Sequence, residues 1–167
     1  MIASFDIGEK NFAYCIGDEN EKIYKICYHD VMKKKTQTVV ESCQILTEIL
    51  MDDKMLDECK SIIIEQQMKC NTRAQRVSQH VWSFFHLKFY HQKDVVIKFI
   101  PSHFKTQYFL GKNKLDNKQR KVWSIQKVTT EIPIGEELLS QINGLKKKDD
   151  VCDTVLQLIA YVNKKKT

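Results

Sequence analysis

Four carboxylates stand where strand and helix signals end or begin. Asp6 closes the apolar run 2–5, Glu65 closes the run SIIIE, and Asp150 and Asp153 open the last apolar-periodic segment. Glu65 follows three consecutive isoleucines, and a charge carried by a buried strand needs a partner. Positions 150 and 153 share one helical face, beside the apolar stripe and not opposite it. Asp149 shares a face with Asp153 at i, i+4, so it competes with Asp150. Acids gathered at one sheet edge repel and must be neutralised. Hard divalent cations with oxygen ligands do this, and Mg²⁺ takes a few carboxylates plus water and phosphate oxygens. Two such ions about 3.5–4 Å apart would hydrolyse a phosphodiester, one lowering the pKa of a water and the other stabilising the leaving 3′ oxygen. Each acid alone has a plainer use: Asp6 as a turn residue before Gly8, Asp150 and Asp153 as acids at a helix N-terminus. Their combination points to a metal site. The chain holds no recognisable Ser-His-Asp elbow and no Gly-rich phosphate loop.

Elements of both periods must position these acids. Residues 2–5, 12–16 and 23–28 are apolar or alternating runs separated by turn residues, which predicts a three-strand antiparallel meander. Residues 38–51 change to a helical period, with Val39, Val40, Cys43, Leu46 and Leu50 on one face. Residues 61–65 suit a buried strand of a parallel segment. Residues 72–91 predict a long helix with the stripe Ala74, Val77, Val81, Phe84, Phe85 and Lys88; Trp82, Leu87 and Phe89 lie off it. A strand at 95–100 stops at Pro101, and a very polar helix follows at 115–129. Residues 131–144, with Pro133 and two glycines, read as an insertion or lid. The last helix, 150–163, turns Val151, Val155, Leu158, Ile159 and Val162 to the core. The order β-β-β-α-β-α-β-α-α predicts an α/β fold: a five-stranded mixed sheet, antiparallel then parallel, flanked by helices on both faces.

At 167 residues the chain is expected to be one domain, 1–167, large enough for a substantial core. Its 43% hydrophobic content argues against disorder, and only 5 glycines and 2 prolines leave little room for long linkers. None of the six cysteines forms a CxxC pair or a zinc-spaced cluster, so they read as small core residues in a reducing compartment. No secretory signal precedes the first strand, and no apolar run approaches the roughly 18 residues of a membrane span. A soluble, intracellular protein is expected. The net charge of +6 favours a polyanionic partner modestly.

The segments SFDIGEKNFAY, IIIEQQ, PSHFK and KKDDVCDTVLQLIAYV resemble the RuvC-type Holliday junction resolvases. The flavour is that of the resolvases of poxviruses and related large DNA viruses, with the yeast mitochondrial enzyme as a cousin. The resemblance covers nearly the whole chain in the family's order, and the combination of DxG, strand-Glu-Gln and DDxxD is specific. It implies an RNase H-like fold and a homodimer that cuts four-way junctions and branched DNA with paired symmetric nicks. It implies two Mg²⁺ per active site, with Mn²⁺ as a substitute, held by Asp6, Glu65, Asp150 and Asp153. Lys105 matches the family's lysine after the fifth strand, and Lys118, with Lys121 next, matches a second basic position. A lysine beside the scissile phosphate would stabilise charge in the transition state. Residues 131–144 lengthen the stretch before Asp150 relative to the bacterial family, which loosens the match of Lys118. A poxvirus-like source would place the protein in a viral factory of the host cytoplasm, acting on recombination and replication intermediates. No small-molecule substrate is implied.

Basic and amide residues flank the acids. KCNTRAQRVSQ puts Lys69, Asn71, Arg73 and Arg76 just past Glu65, a composition suited to DNA backbone contacts. Lys112, Lys114, Lys118, Arg120 and Lys121 form a second patch and Lys146 to Lys148 a third, although charge runs are commonly plain solvated surface. The surplus apolar residues of WSFFHLKFY fit a two-fold interface between copies. Two other readings use the same features: another RNase H-like nuclease (cutting RNA–DNA hybrids, or transposase-like), and an inactive nucleic-acid-binding domain.

Overall fold

The computed structural model describes residues 1–8, 10–113 and 115–166. Strands β1 (Ile2–Ile7), β2 (Asn11–Gly17) and β3 (Ile23–Asp30) form the expected antiparallel meander. β4 (Ser61–Glu65) pairs parallel with β1, and β5 (Val96–Ile100) pairs parallel with β4, giving the order β3-β2-β1-β4-β5. The helices are α1 (Val39–Asp52), α2 (Thr72–Lys88), α3 (Phe104–Leu110), α4 (Asn117–Thr130), α5 (Glu136–Gly144) and α6 (Lys148–Lys166), with a short 3₁₀ turn at Lys54–Glu58. The mixed five-stranded sheet is the one expected from the sequence.

The two-residue period of the strands divides the core into two layers. Ala3, Phe5, Ile7, Phe12, Tyr14, Ile16, Ile62 and Ile64 face α1 and α2. Ile2, Ala13, Cys15 and Ile63 face α6 and the elements around it. By the same alternation Asp6 and Glu65 point to the α6 side. The central strands are buried on both faces, which explains their continuous apolar runs. β5 is an edge strand, and its Val96 is exposed.

α6 is covered nearly all round. Eleven of its residues, from Val151 to Val162, are buried between the sheet and α3, α4 and α5. No charged residue falls between Thr154 and Val162, so this span tolerates full burial. Its charges collect at the two ends: Lys148 and three acids at the start, three lysines at the finish.

Several local expectations change. Val40 is exposed, because the buried face of α1 runs through Ser42, Leu46 and Leu50. Leu87 of α2 is exposed while Phe89 is buried. Helix α3 had no sequence-level signal beyond the residues after Pro101; seven residues are too few to establish a period. The stretch 131–144 is no loose lid. It contains α5, whose Ile142 is fully buried against the α6 layer together with Ile132, Ile134, Leu138 and Leu145. The cysteines are all free, and Cys15, Cys59 and Cys152 are buried, with burial pushing each thiol up to about 12.

Candidate active site

Parallel pairing of β1 with β4 sets the geometry. Phe5 lies opposite Ile64, so the next residues, Asp6 and Glu65, stand side by side where the two strands end. α6 crosses the same edge with its N-terminus. Asp153, one helical turn in, completes a group with Asp6 and Glu65 in which one carboxylate oxygen from each lies within 4.8 Å of the others.

A buried polar contact fixes how α6 sits on β1. Gln157 donates to the Ser4 hydroxyl at 3.2 Å and to the Phe5 carbonyl at 3.4 Å. Gln157 is i+4 from Asp153, and Ser4 is i−2 from Asp6. The pin therefore lies one turn and one pleat below the acids and shares their face. One signal of it is visible in the sequence: two polar residues, Ser4 and Gln157, inside otherwise apolar core segments.

Lys105 reaches the centre of the group from the first turn of α3. Its side chain is 2% exposed, and its ammonium lies 2.5 Å from Glu65 Oε2 and 3.0 Å from Asp153 Oδ2. Burial opposes its charge, but Glu65, Asp153 and Asp6 outweigh burial and hold the ammonium above its ordinary pKa. Asp6 moves the same way for a different reason. Burial, then the charges of Glu65, Asp153 and Asp150, raise it well above the usual carboxylate range despite the pull of Lys105. One buried cation does not neutralise this many acids.

The first turn of α6 gives Asp149 and Asp150 different settings. Asp149 turns to α4, where Lys121 contacts its Oδ2 at 2.5 Å. That hydrogen bond, more than any other influence, raises the Lys121 pKa. Asp150 lies half-buried and adjacent to the group without joining it; burial and Asp149 raise its pKa. Asp150 Oδ2 and Asp153 Oδ1 are buried and make no hydrogen bond. Buried anionic oxygens without partners fit a hard cation as their missing ligand.

The flanking basic residues separate into distinct settings. Arg76 lines a polar cleft of about 490 Å³ with Gln66, Gln67, Gln75, Gln79 and Phe99. Lys69 is exposed. Asn71 caps α2, accepting from the Ala74 amide at 3.1 Å, and Arg73 donates to the Gln37 carbonyl at 2.8 Å. Lys112 lines a second cleft, about 630 Å³, with Ser102, His103 and Arg120. Lys118 is exposed and borders an apolar depression with Leu110, Val122 and Trp123, whereas Lys121 turns to the acids. Lys114 lies outside the described residues.

Strand order, an acidic group spanning β1, β4 and the last helix, and a helical layer on each face define the RNase H-like fold in its RuvC-type form. The chain belongs to the poxvirus A22 protein family, whose model matches residues 1–165. It is similar to an uncharacterised protein, 170L, of invertebrate iridescent virus 6: 27% identical over 225 residues, covering 96% of this chain and 87% of that protein. Protein 97L of invertebrate iridescent virus 3 is 26% identical over 208 residues, covering 96% and 98%. Among solved structures, the fowlpox virus resolvase in complex with substrate Holliday junction DNA superposes with a TM-score of 0.68 at 18% identity, over 99% of each chain. The yeast mitochondrial Holliday junction resolvase Ydc2 gives 0.69 at 18%, over 96% of this chain and 78% of that one. Thermus thermophilus RuvC gives 0.63 at 8%, over 98% and 96%. At these identities the structural likenesses show the fold.

Proposed function

We propose that this protein is a Holliday junction resolvase: a DNA endonuclease that cuts four-way junctions by metal-dependent phosphodiester hydrolysis. The observation that carries this reading is the Asp6–Glu65–Asp153 group, set where β1 and β4 end in a chain of the poxvirus A22 family. Resolvases of viral, yeast and bacterial origin share its fold, which supports the substrate class.

Asp6, Glu65 and Asp153 would hold divalent cations, with Asp150 joining them when a second ion binds. Mg²⁺ or Mn²⁺ would supply the positive charge that polarises the phosphodiester and activates water. The chain's own residues do the rest. Lys105 holds Glu65 and Asp153 together and keeps a buried positive charge where a phosphate would arrive. The Gln157–Ser4 pin keeps Asp153 in line with Asp6. Lys121 draws Asp149 away from the group. The protein would act as a homodimer, because a four-way junction offers two symmetric strands, and the end of α2 and the turn after it leave Leu87 and Tyr90 exposed.

The deciding experiment incubates the protein with a four-way junction, linear duplex and RNA–DNA hybrid in Mg²⁺, with Asp6→Asn as control. Symmetric paired nicks confined to the junction are expected, and none from the variant. Preferential cleavage of the hybrid would overturn the reading.

A further inference from the structure

β3 is antiparallel to β2, and β2 to β1, so β3 runs in the direction of β1. The chain leaving β3 after Asp30 therefore emerges at the same sheet edge as Asp6 and Glu65. Through the pairings Asp6–Ala13–Tyr28 it is displaced by two strands, roughly 10 Å. The residues that emerge are Val31, Met32, Lys33, Lys34, Lys35, Thr36 and Gln37. Three of the seven are lysines, all exposed, and none is acidic.

This lysine run is anchored. Val31 is buried in the α1–α2 layer, and its amide donates to the Lys10 carbonyl at 2.8 Å, tying the segment to the β1–β2 turn. Gln37 is buried and divides its side-chain amide between the segment and α1. Its Nε2 donates to the Val31 carbonyl at 2.7 Å and to the Ser42 hydroxyl at 2.9 Å, and its Oε1 accepts from the Lys33 amide at 2.9 Å. The Gln37 carbonyl accepts from Arg73, which joins the segment to the start of α2, just past Glu65. Lys33 and Lys34 border a depression with Glu41 and Glu48 of α1, and Glu41 also accepts from the Thr38 amide and hydroxyl in the cap of that helix, which leaves Lys35 away from both acids in that lining. A solvated lysine run has no need of a buried glutamine to set its backbone; a surface that must meet a rigid polyanion gains from that fixation.

We infer that the 31–37 segment is a nucleic-acid contact surface: Lys33, Lys34 and Lys35 take the phosphate backbone of a duplex arm whose cleaved strand lies at Asp6 and Glu65. The inference rests on the nuclease reading above and adds a surface on the β3 side, away from the Lys112–Arg120 cleft. Strand spacing and rise place Lys33 within about 20 Å of Asp6, roughly six base pairs of duplex. Such contacts hold the arm and carry no sequence information.

The test measures binding of the full chain to a four-way junction across a salt series, with Ca²⁺ in place of Mg²⁺. A Lys33→Ala/Lys34→Ala/Lys35→Ala variant is compared with Lys22→Ala/Lys93→Ala/Lys166→Ala, which removes equal charge at the far end of the sheet. The loop variant is expected to bind more weakly, with a slope of log K against log salt shallower by about 0.9 for each phosphate it no longer neutralises. An unchanged slope, or an equal change in the distal variant, overturns the inference. A wild-type protein that binds the junction with the expected loop dependence but never cuts it would sink the nuclease reading alone. Failure of the wild type to bind would sink both.

Discussion

Asp6 and Lys105 are held in opposition, and each predicts a measurable consequence. Asp6 has a folded-state pKa well above its ordinary value, so its ionised form is costly in the fold without a cation. In the unfolded chain it ionises near pH 4. The penalty is absent below that pH and grows as pH rises toward the folded value. Asp6→Asn should therefore raise unfolding free energy at pH 7 in chelator, with the gain vanishing near pH 3, while abolishing cleavage and sparing junction binding. Urea melts across pH read the first effect; a destabilised variant at pH 7 would refute the electrostatic account. Lys105 is the complementary case, a buried cation between two acids. Lys105→Met leaves Glu65 and Asp153 uncompensated and should cost about 3–5 kcal/mol in chelator. Added Mn²⁺ should recover part of that loss in the variant and do less for wild type. An identical Mn²⁺ effect on both proteins would argue that ammonium and metal do not share the same carboxylates.

At the scale of elements, the site depends on how α6 lies against β1. The acids belong to different elements, and the contact nearest them that fixes the register is polar: Gln157 on Ser4 and Phe5. Gln157→Leu should cost about 1–3 kcal/mol, because it leaves the Ser4 hydroxyl in the core without its Gln157 partner. Pairing it with Ser4→Ala should recover part of the stability but not the metal response, since the helix loses its pin in both. Mn²⁺ titration of thermal stability separates the two effects. If the single variant binds Mn²⁺ as wild type does, apolar packing of α6 suffices to place Asp153. The sequence announced α6 well, since its apolar stripe and acidic start are both local. It announced α5 poorly: Pro133 and two glycines suggested a loop, and the burial of Ile142 depends on an α6 layer far along the chain.

For the whole molecule, the question is what covers the end of α2. Leu87 and Tyr90 are 75% and 72% exposed, with Trp82 and Phe84 half-buried nearby. A two-fold partner would bury them and present two active sites to one junction. Sedimentation of the wild type should give a dimer, and Leu87→Glu/Tyr90→Glu a monomer that still binds metal but nicks junctions singly. A monomeric wild type that makes paired nicks would require another route to symmetry.

The sequence by itself determined the strands, most helices, and the three acids that the fold brings together. Those signals are local: an apolar run ending in a carboxylate, a helical stripe opening on DDxxD, a lysine four residues past a strand-ending proline. It also held the resemblance that named the fold. Only the tertiary structure gave Asp149 and Asp150 different settings, since both satisfy helix spacing and the contact of Asp149 depends on where α4 carries Lys121. The same holds for Lys121 over Lys118 beside the acids, and for Gln157 under Asp153. Only the structure placed Lys33 to Lys35 on the edge that carries the carboxylates, because strand direction is set by pairing across the sheet. The four carboxylates were legible one at a time; their convergence depends on parallel register between β1 and β4, a contact between residues about sixty positions apart.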